Sequence, residues 1–243
     1  MHILLAFLLP LVSSTNSSPV FPGDREFVSR EYTSAIAVYE TYLQNSTDSA
    51  EVFWRLARVQ ICLGDVVEGA ESEMHYRKGE QLAWAAVILD STNSNAHTWL
   101  AVALGSIAVF EGSKSKIRMS NEIKYHLDKA ISLNPNDDVA YSVLGSFYTA
   151  LGNISWLERQ LASVFLGRLP DGGYEEAEAA FKRAIAIAPT VVRHHYALGL
   201  LYKSLDRDPD AVAEFERASS LPVVLARDVN DQRAARELLA SLK

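Results

Sequence analysis

The residues best equipped for chemistry in this 243-residue chain are few, and their spacing argues against a reactive site. His194 and His195 are adjacent. Neighbours on a helix point about 100° apart, so the two rings cannot readily share one metal ion. Asp206, Asp208 and Asp210 alternate as in a calcium loop, but such a loop needs Gly at its sixth place and Glu at its twelfth. Neither is present, and the run reads as capping for a helix that opens near Ala211. His97 and His195 occupy equivalent points of two helical patterns, where an imidazole packs between helices. There is no glycine-rich phosphate loop, no His-Glu-x-x-His helix and no Gly-x-Ser-x-Gly elbow. Cys62 is the single cysteine, which excludes an intramolecular disulfide and any multi-cysteine zinc site. Its apolar helical surroundings read as those of a buried thiol. No catalytic residue, metal or cofactor is expected, and the chemistry left is that of binding.

The elements that would position a binding surface repeat along the chain. Tyr141, Leu144, Gly145 and Tyr148 follow the spacing aromatic-x2-Leu-Gly-x2-Tyr, and His195, Leu198, Gly199 and Tyr202 repeat it 54 positions later. Ala177, Phe181, Ala184 and Pro189, then Ala211, Phe215 and Ala218, supply a matching second helix. Such a module of about 34 residues is the tetratricopeptide repeat, a helix–turn–helix unit. The expected fold is therefore all-α, a tetratricopeptide-like α-solenoid of stacked antiparallel helix pairs with a closing C-terminal helix. First helices fall at 51–63, stopped by Gly64-Asp65, and at 95–110; their partners are expected at 75–89 and 121–133. A leading helix over 27–44 and a closing helix over 231–243 cap the two ends. The offsets Leu56 to Leu100, Leu100 to Leu144 and Leu144 to Leu198 are 44, 44 and 54, so about 10, 10 and 20 residues are inserted beyond the unit. Residues 112–120 read as a long turn, and 151–174 as an insertion with a short amphipathic helix near Trp156.

Helical geometry then selects the residues that face the concave groove: Trp54 and Arg58, Thr98 and Val102, Ser142 and Ser146, Tyr196 and Leu200. The groove lacks the Lys and Asn set of repeats that clamp a peptide's C-terminal carboxylate. Trp54 and Arg58 lie one turn apart and form the best anchor pair. The competing reading packs Trp54 against the leading helix, with Arg58 lying over it.

Charge narrows the partner. The chain carries a net −7, which gives nucleic acid no overall attraction. Lys114, Lys116, Arg118, Lys124 and Lys129 nevertheless form a basic patch of local charge +3 after Glu122 and Asp128 are counted. It suits an acidic protein surface or a phospholipid headgroup, or it is simply a solvated face. Hydrophobic residues make up 49% of the chain, enough for one substantial core. One repeat domain is expected over 23–243, after an apolar N-terminal segment and linker over 1–22. The apolar run is too short to span a bilayer. It reads either as a signal-peptide core or weak anchor, lacking the usual positive start, or as a cytosolic extension. The sequons at Asn16, Asn45 and Asn153 matter only in the secretory pathway.

Three less generic blocks stand out: Ser155 with Trp156-Leu157-Glu158-Arg159-Gln160-Leu161-Ala162 and the following Leu166-Gly167-Arg168-Leu169-Pro170; Asn121 to Ile131 with Asn134-Pro135; and Val52-Phe53-Trp54-Arg55-Leu56-Ala57-Arg58. Together they resemble the regulator of microtubule dynamics family. That resemblance implies a non-catalytic scaffold associated with microtubules and spindle poles, some relatives being attached to mitochondria or to contacts between organelles. Cytoplasmic, cytoskeletal or mitochondrial-surface residence goes with it, whereas a cleaved secretory signal would remove the chain from tubulin. The alternative is a membrane-associated tether or carrier holding a lipid acyl chain in the apolar interior, walled by Val102, Leu200 and the insertion over 156–166.

Overall fold

Helix pairs are built here around glycines that admit a phenyl ring. A Cβ on Gly145 would lie 2.6 Å from the ring of Phe181, and one on Gly199 would lie 2.6 Å from that of Phe215. These two first helices therefore accept their partners at a distance that no side chain permits. That is the physical content of the Leu-Gly spacing.

The structure, a computed structural model, describes residues 20–45, 47–155, 159–160 and 169–242. Among the described residues there are helices and no strands. They are α1 (Asp24–Val28), α2 (Tyr32–Asn45), α3 (Ser49–Gly64), α4 (Ala70–Leu89), α5 (Ser94–Glu111), α6 (Ser113–Leu133), α7 (Asp138–Gly152), α8 (Tyr174–Ile187), α9 (Val192–Ser204), α10 (Asp208–Ser220) and α11 (Ala226–Leu242). The pairs α3/α4, α5/α6, α7/α8 and α9/α10 pack internally and then against the next pair, with α1 and α2 at one end and α11 on α10 at the other.

Local chemistry sets the boundaries. Asn93 and Asp137 cap α5 and α7 by accepting the Ala96 and Ala140 N–H groups at 3.1 and 2.9 Å, a bond that satisfies one of the free donors of a first turn. Asp137 also accepts the Thr98 hydroxyl at 2.6 Å, tying two successive pairs together. The core follows the small residues, with Ala57, Ala83, Ala101, Ala130, Ala177 and Ala211 all at 0% exposure.

Four sequence expectations change. The leading helix is not continuous, because Arg30 takes a positive φ of 65° and separates α1 from α2. The expected long turn over 112–120 is helix: α6 starts one residue after Gly112, and the excess length goes into an 18-residue α5 and a 21-residue α6. Gly112, at φ 94° and ψ −167°, makes that one-residue reversal. Helix α4 begins at Ala70, and the closing helix at Ala226, each five residues earlier than expected. The amphipathic stretch near Trp156 lies almost wholly outside the described residues. Of it, Arg159 donates to the carbonyls of Leu151 and Gly172 at 2.7 and 3.2 Å, joining the two ends of the insertion. The apolar run at the N-terminus also lies outside the described residues.

Candidate functional site

Five of the eight groove residues converge. Val102 on α5, Ser142 and Ser146 on α7, and Tyr196 and Leu200 on α9 line one cavity of about 240 Å³. Its other wall is unexpected, since Leu225, just before α11, and Arg227 and Asp231 of α11 also line it. A larger cavity of about 830 Å³ adjoins it, sharing Asp65, Val102, Val143, Ser146 and Arg227. Phe110, Ile117, Phe147 and Ile154 give the larger space apolar walls. The helical extension of α5 and α6 past the standard repeat supplies the first two.

The remaining three groove residues serve the fold. Trp54 is buried, and Arg58 ion-pairs with Asp24 at 2.7 Å while its guanidinium sits 3.7 Å from the Phe27 ring centroid. Arg58 also donates to the Tyr39 hydroxyl at 3.0 Å. Arg58 is thus taken up by α1 and α2 through a carboxylate and a phenyl ring, whereas Trp54 packs with Ala57, Ile61 and Ala83 in the core built with α4 and α5, not against the leading helix. Thr98 is buried at the Asp137 cap and offers nothing to the groove.

Arg227 is the charge that spans the groove mouth, lying 3.1 Å from Asp65 and 3.5 Å from Asp231. Burial pushes the Asp231 carboxyl above its ordinary range, against the opposing charge of Arg227. Arg193 lines the same small cavity and makes no ion pair among the described residues. Asp65, Arg193, Leu225 and Arg227 carry no repeat signature. In sequence Asp65 reads only as part of a helix stop.

The basic patch is partly neutralised. Arg118 pairs with Glu111 at 2.9 Å, and Lys124 with Asp128 at 2.7 Å. Glu111 is also paired with Arg77. Lys114 and Lys116 are exposed and Lys129 half-buried, with no ion pair among the described residues. Lys116 stands at the rim of the larger cavity.

The histidines pack as their positions imply. His97 and His126 face each other Nδ1 to Nδ1 at 2.8 Å, His194 meets Asp138 at 2.8 Å, and His195 meets Glu214 at 2.7 Å. Burial pushes the Cys62 thiol up to about 12, so it stays protonated. Asp210 pairs with Arg207 at 2.7 Å at the opening of α10. Among the described residues no three His, Cys, Asp or Glu side chains gather as metal ligands, and no helix is long and apolar enough to cross a membrane.

Stacked helix pairs with a concave cavity and end helices define a tetratricopeptide-like repeat protein. The crystal structure of a thermophilic TPR protein of Thermus thermophilus matches 90% of this chain and 94% of its own, with a TM-score of 0.64 at 20% identity. A family model described as regulator of microtubule dynamics protein 1-3 matches residues 24–243, and the chain belongs to that family. Human regulator of microtubule dynamics protein 2 is 29% identical over 198 residues, which are 81% of this chain and 48% of the human one. Bovine regulator of microtubule dynamics protein 1 is 31% identical over 196 residues, 79% of this chain and 62% of the bovine one. The chain spans about half the length of the curated protein 2 relatives it matches.

Proposed function

We propose that this chain is a non-catalytic scaffold that binds the microtubule surface, using its concave face for a protein segment and the exposed Lys114 and Lys116 for acidic tubulin. Family membership over residues 24–243 carries this reading, because the relatives bear the name of microtubule regulators. Residues 23–243 act as one repeat unit in the cytoplasm, at the cytoskeleton or on the mitochondrial surface. Arg118 and Lys124 contribute less, since their charges are already paired. Co-pelleting of the full chain with stabilised microtubules tests the proposal. Binding at low salt should weaken as salt rises, and Lys114→Glu with Lys116→Glu should weaken it about tenfold, equivalent to about 1.4 kcal/mol. Absence of pelleting at low salt contradicts it.

The cavity of about 830 Å³ favours a second reading, a membrane-associated carrier of an acyl chain. Its size falls in the ordinary range of ligand pockets, about 300–1,000 Å³, and Lys116 stands where an anionic headgroup would emerge. Native mass spectrometry of protein purified from cells tests this, and absence of co-purifying lipid removes it.

A further inference from the structure

The closing helix does more than cover the last repeat. An end cap ordinarily touches only its neighbouring unit, yet the segment that opens α11 also reaches the first helices of the array. Leu225 is 8% exposed and belongs to the apolar cluster of Tyr32, Val59 and Cys62. The Ala226 N–H donates to the Tyr32 hydroxyl at 3.3 Å, across 194 positions, and Arg227 pairs with Asp65 across 162. The turn that presents these residues is preset, since Asp228 Oδ2 accepts the N–H groups of Val224 and Leu225 at 2.9 and 2.7 Å. The hold of α11 on its own repeat lies further along. Gln232 donates to the Ala218 and Leu221 carbonyls at 3.2 and 2.6 Å, and Ala235 and Leu239 are buried in the C-terminal core. The contacts that the strap over 224–227 makes with the first helices are therefore distinct from those that hold α11 on its own repeat.

We propose that residues 224–227 are an intramolecular ligand of the concave groove, and that the groove's partner is a peptide segment of the same chemistry: a branched apolar side chain followed two positions later by a cation that reaches Asp65. This rests on the reading of the concave face as a protein-binding groove. The partner gains Val102, Ser142, Ser146, Tyr196 and Leu200 by displacing the strap, beneath which a space of about 240 Å³ already stands. Tethering sets the competition. A short tether supplies an effective concentration of about 1 mM, so a free peptide of intrinsic Kd of about 100 µM binds the strapped protein about tenfold more weakly than the released one.

The test uses a fluorescent peptide of residues 221–231 and fluorescence anisotropy on the full chain. Leu225→Asp with Arg227→Glu should release the strap, and this variant should bind the peptide about tenfold more tightly than the unsubstituted chain. Adding Asp65→Arg should abolish the gain, and a peptide carrying R227E should restore it. Circular dichroism and a thermal melt establish that each variant is folded. Arg227→Glu alone leaves Leu225 in place and should show the same ordering with a smaller step. Equal binding by released and unsubstituted chains, or no binding by a folded released chain, overturns the proposal. Neither result depends on microtubules, and failure to pellet leaves the peptide measurement untouched.

Discussion

Arg227 Nη1 lies 3.1 Å from Asp65 Oδ2, and this pair joins the closing helix to the end of the first repeat helix. Arg227 keeps 47% of its side chain exposed but Asp65 only 16%, so solvent screens the pair only in part. Arg227→Ala should cost about 1–2 kcal/mol of global stability, because it leaves two largely buried carboxylates without their cation, and increase amide exchange locally at 224–227. Hydrogen-exchange mass spectrometry checks this, and unchanged exchange there would show that the pair does not hold the strap.

Asp24 holds the N-terminal cap, bonded by Tyr39 at 2.6 Å, Arg58 at 2.7 Å and Arg55 at 3.2 Å. Burial pushes its carboxyl up, but the Tyr39 hydrogen bond and the two arginine charges outweigh burial and leave it below the ordinary carboxylate range. A depressed carboxylate stabilises the fold above its unfolded pKa of about 3.9 and loses that contribution as pH falls through the folded value. Asp24→Asn should cost about 2 kcal/mol at neutral pH, below the range for fully buried pairs because the site is partly exposed. Its acid denaturation limb should also flatten below about pH 4. Urea titrations at pH 7 and pH 3.5 measure both.

Buried histidines give the fold a second pH dependence. Burial lowers His97, His126 and His194, with His126 brought to about 4. The unfolded chain then binds more protons below about pH 6.5, so stability is complete above that value and declines on acidification toward the folded pKa values. The slope is at most about 1.4 kcal/mol per pH unit for each histidine. Denaturant midpoints between pH 7.5 and 4.5 should fall, and His126→Gln should reduce the slope. A flat profile would contradict the burial of these rings.

Two glycines on first helices separate packing from propensity. Gly145→Ala drives a methyl into the Phe181 ring and should destabilise by about 1–3 kcal/mol. Nothing lies within 4 Å of a Cβ on Gly105, so Gly105→Ala should be neutral or stabilise by up to about 1 kcal/mol. Thermal melts of the two variants should move in different directions or at least differ clearly in size.

The signature residues made the helix pairs legible because they encode local contacts: small residues where helices touch, and a phenyl ring opposite a glycine. What periodicity could not show is contact across the array. Arg58 sits at a groove position, but its surroundings are decided by Asp24 and Phe27, about 30 residues earlier. Leu225 and Arg227 sit outside every repeat pattern, and only the curvature that brings the array's ends together makes them part of the groove. The excess over the repeat length was visible as a number. Whether it became loop or longer helix turned on a single reversal at Gly112.

The central claim, binding of this chain to microtubules through its basic edge, is tested most directly by zero-length carbodiimide crosslinking of the full chain to microtubules, read by mass spectrometry. The account predicts crosslinks from Lys114 and Lys116 to acidic residues of tubulin, lost at high salt. Crosslinks confined to lysines elsewhere on the chain, or none at low salt, would contradict it.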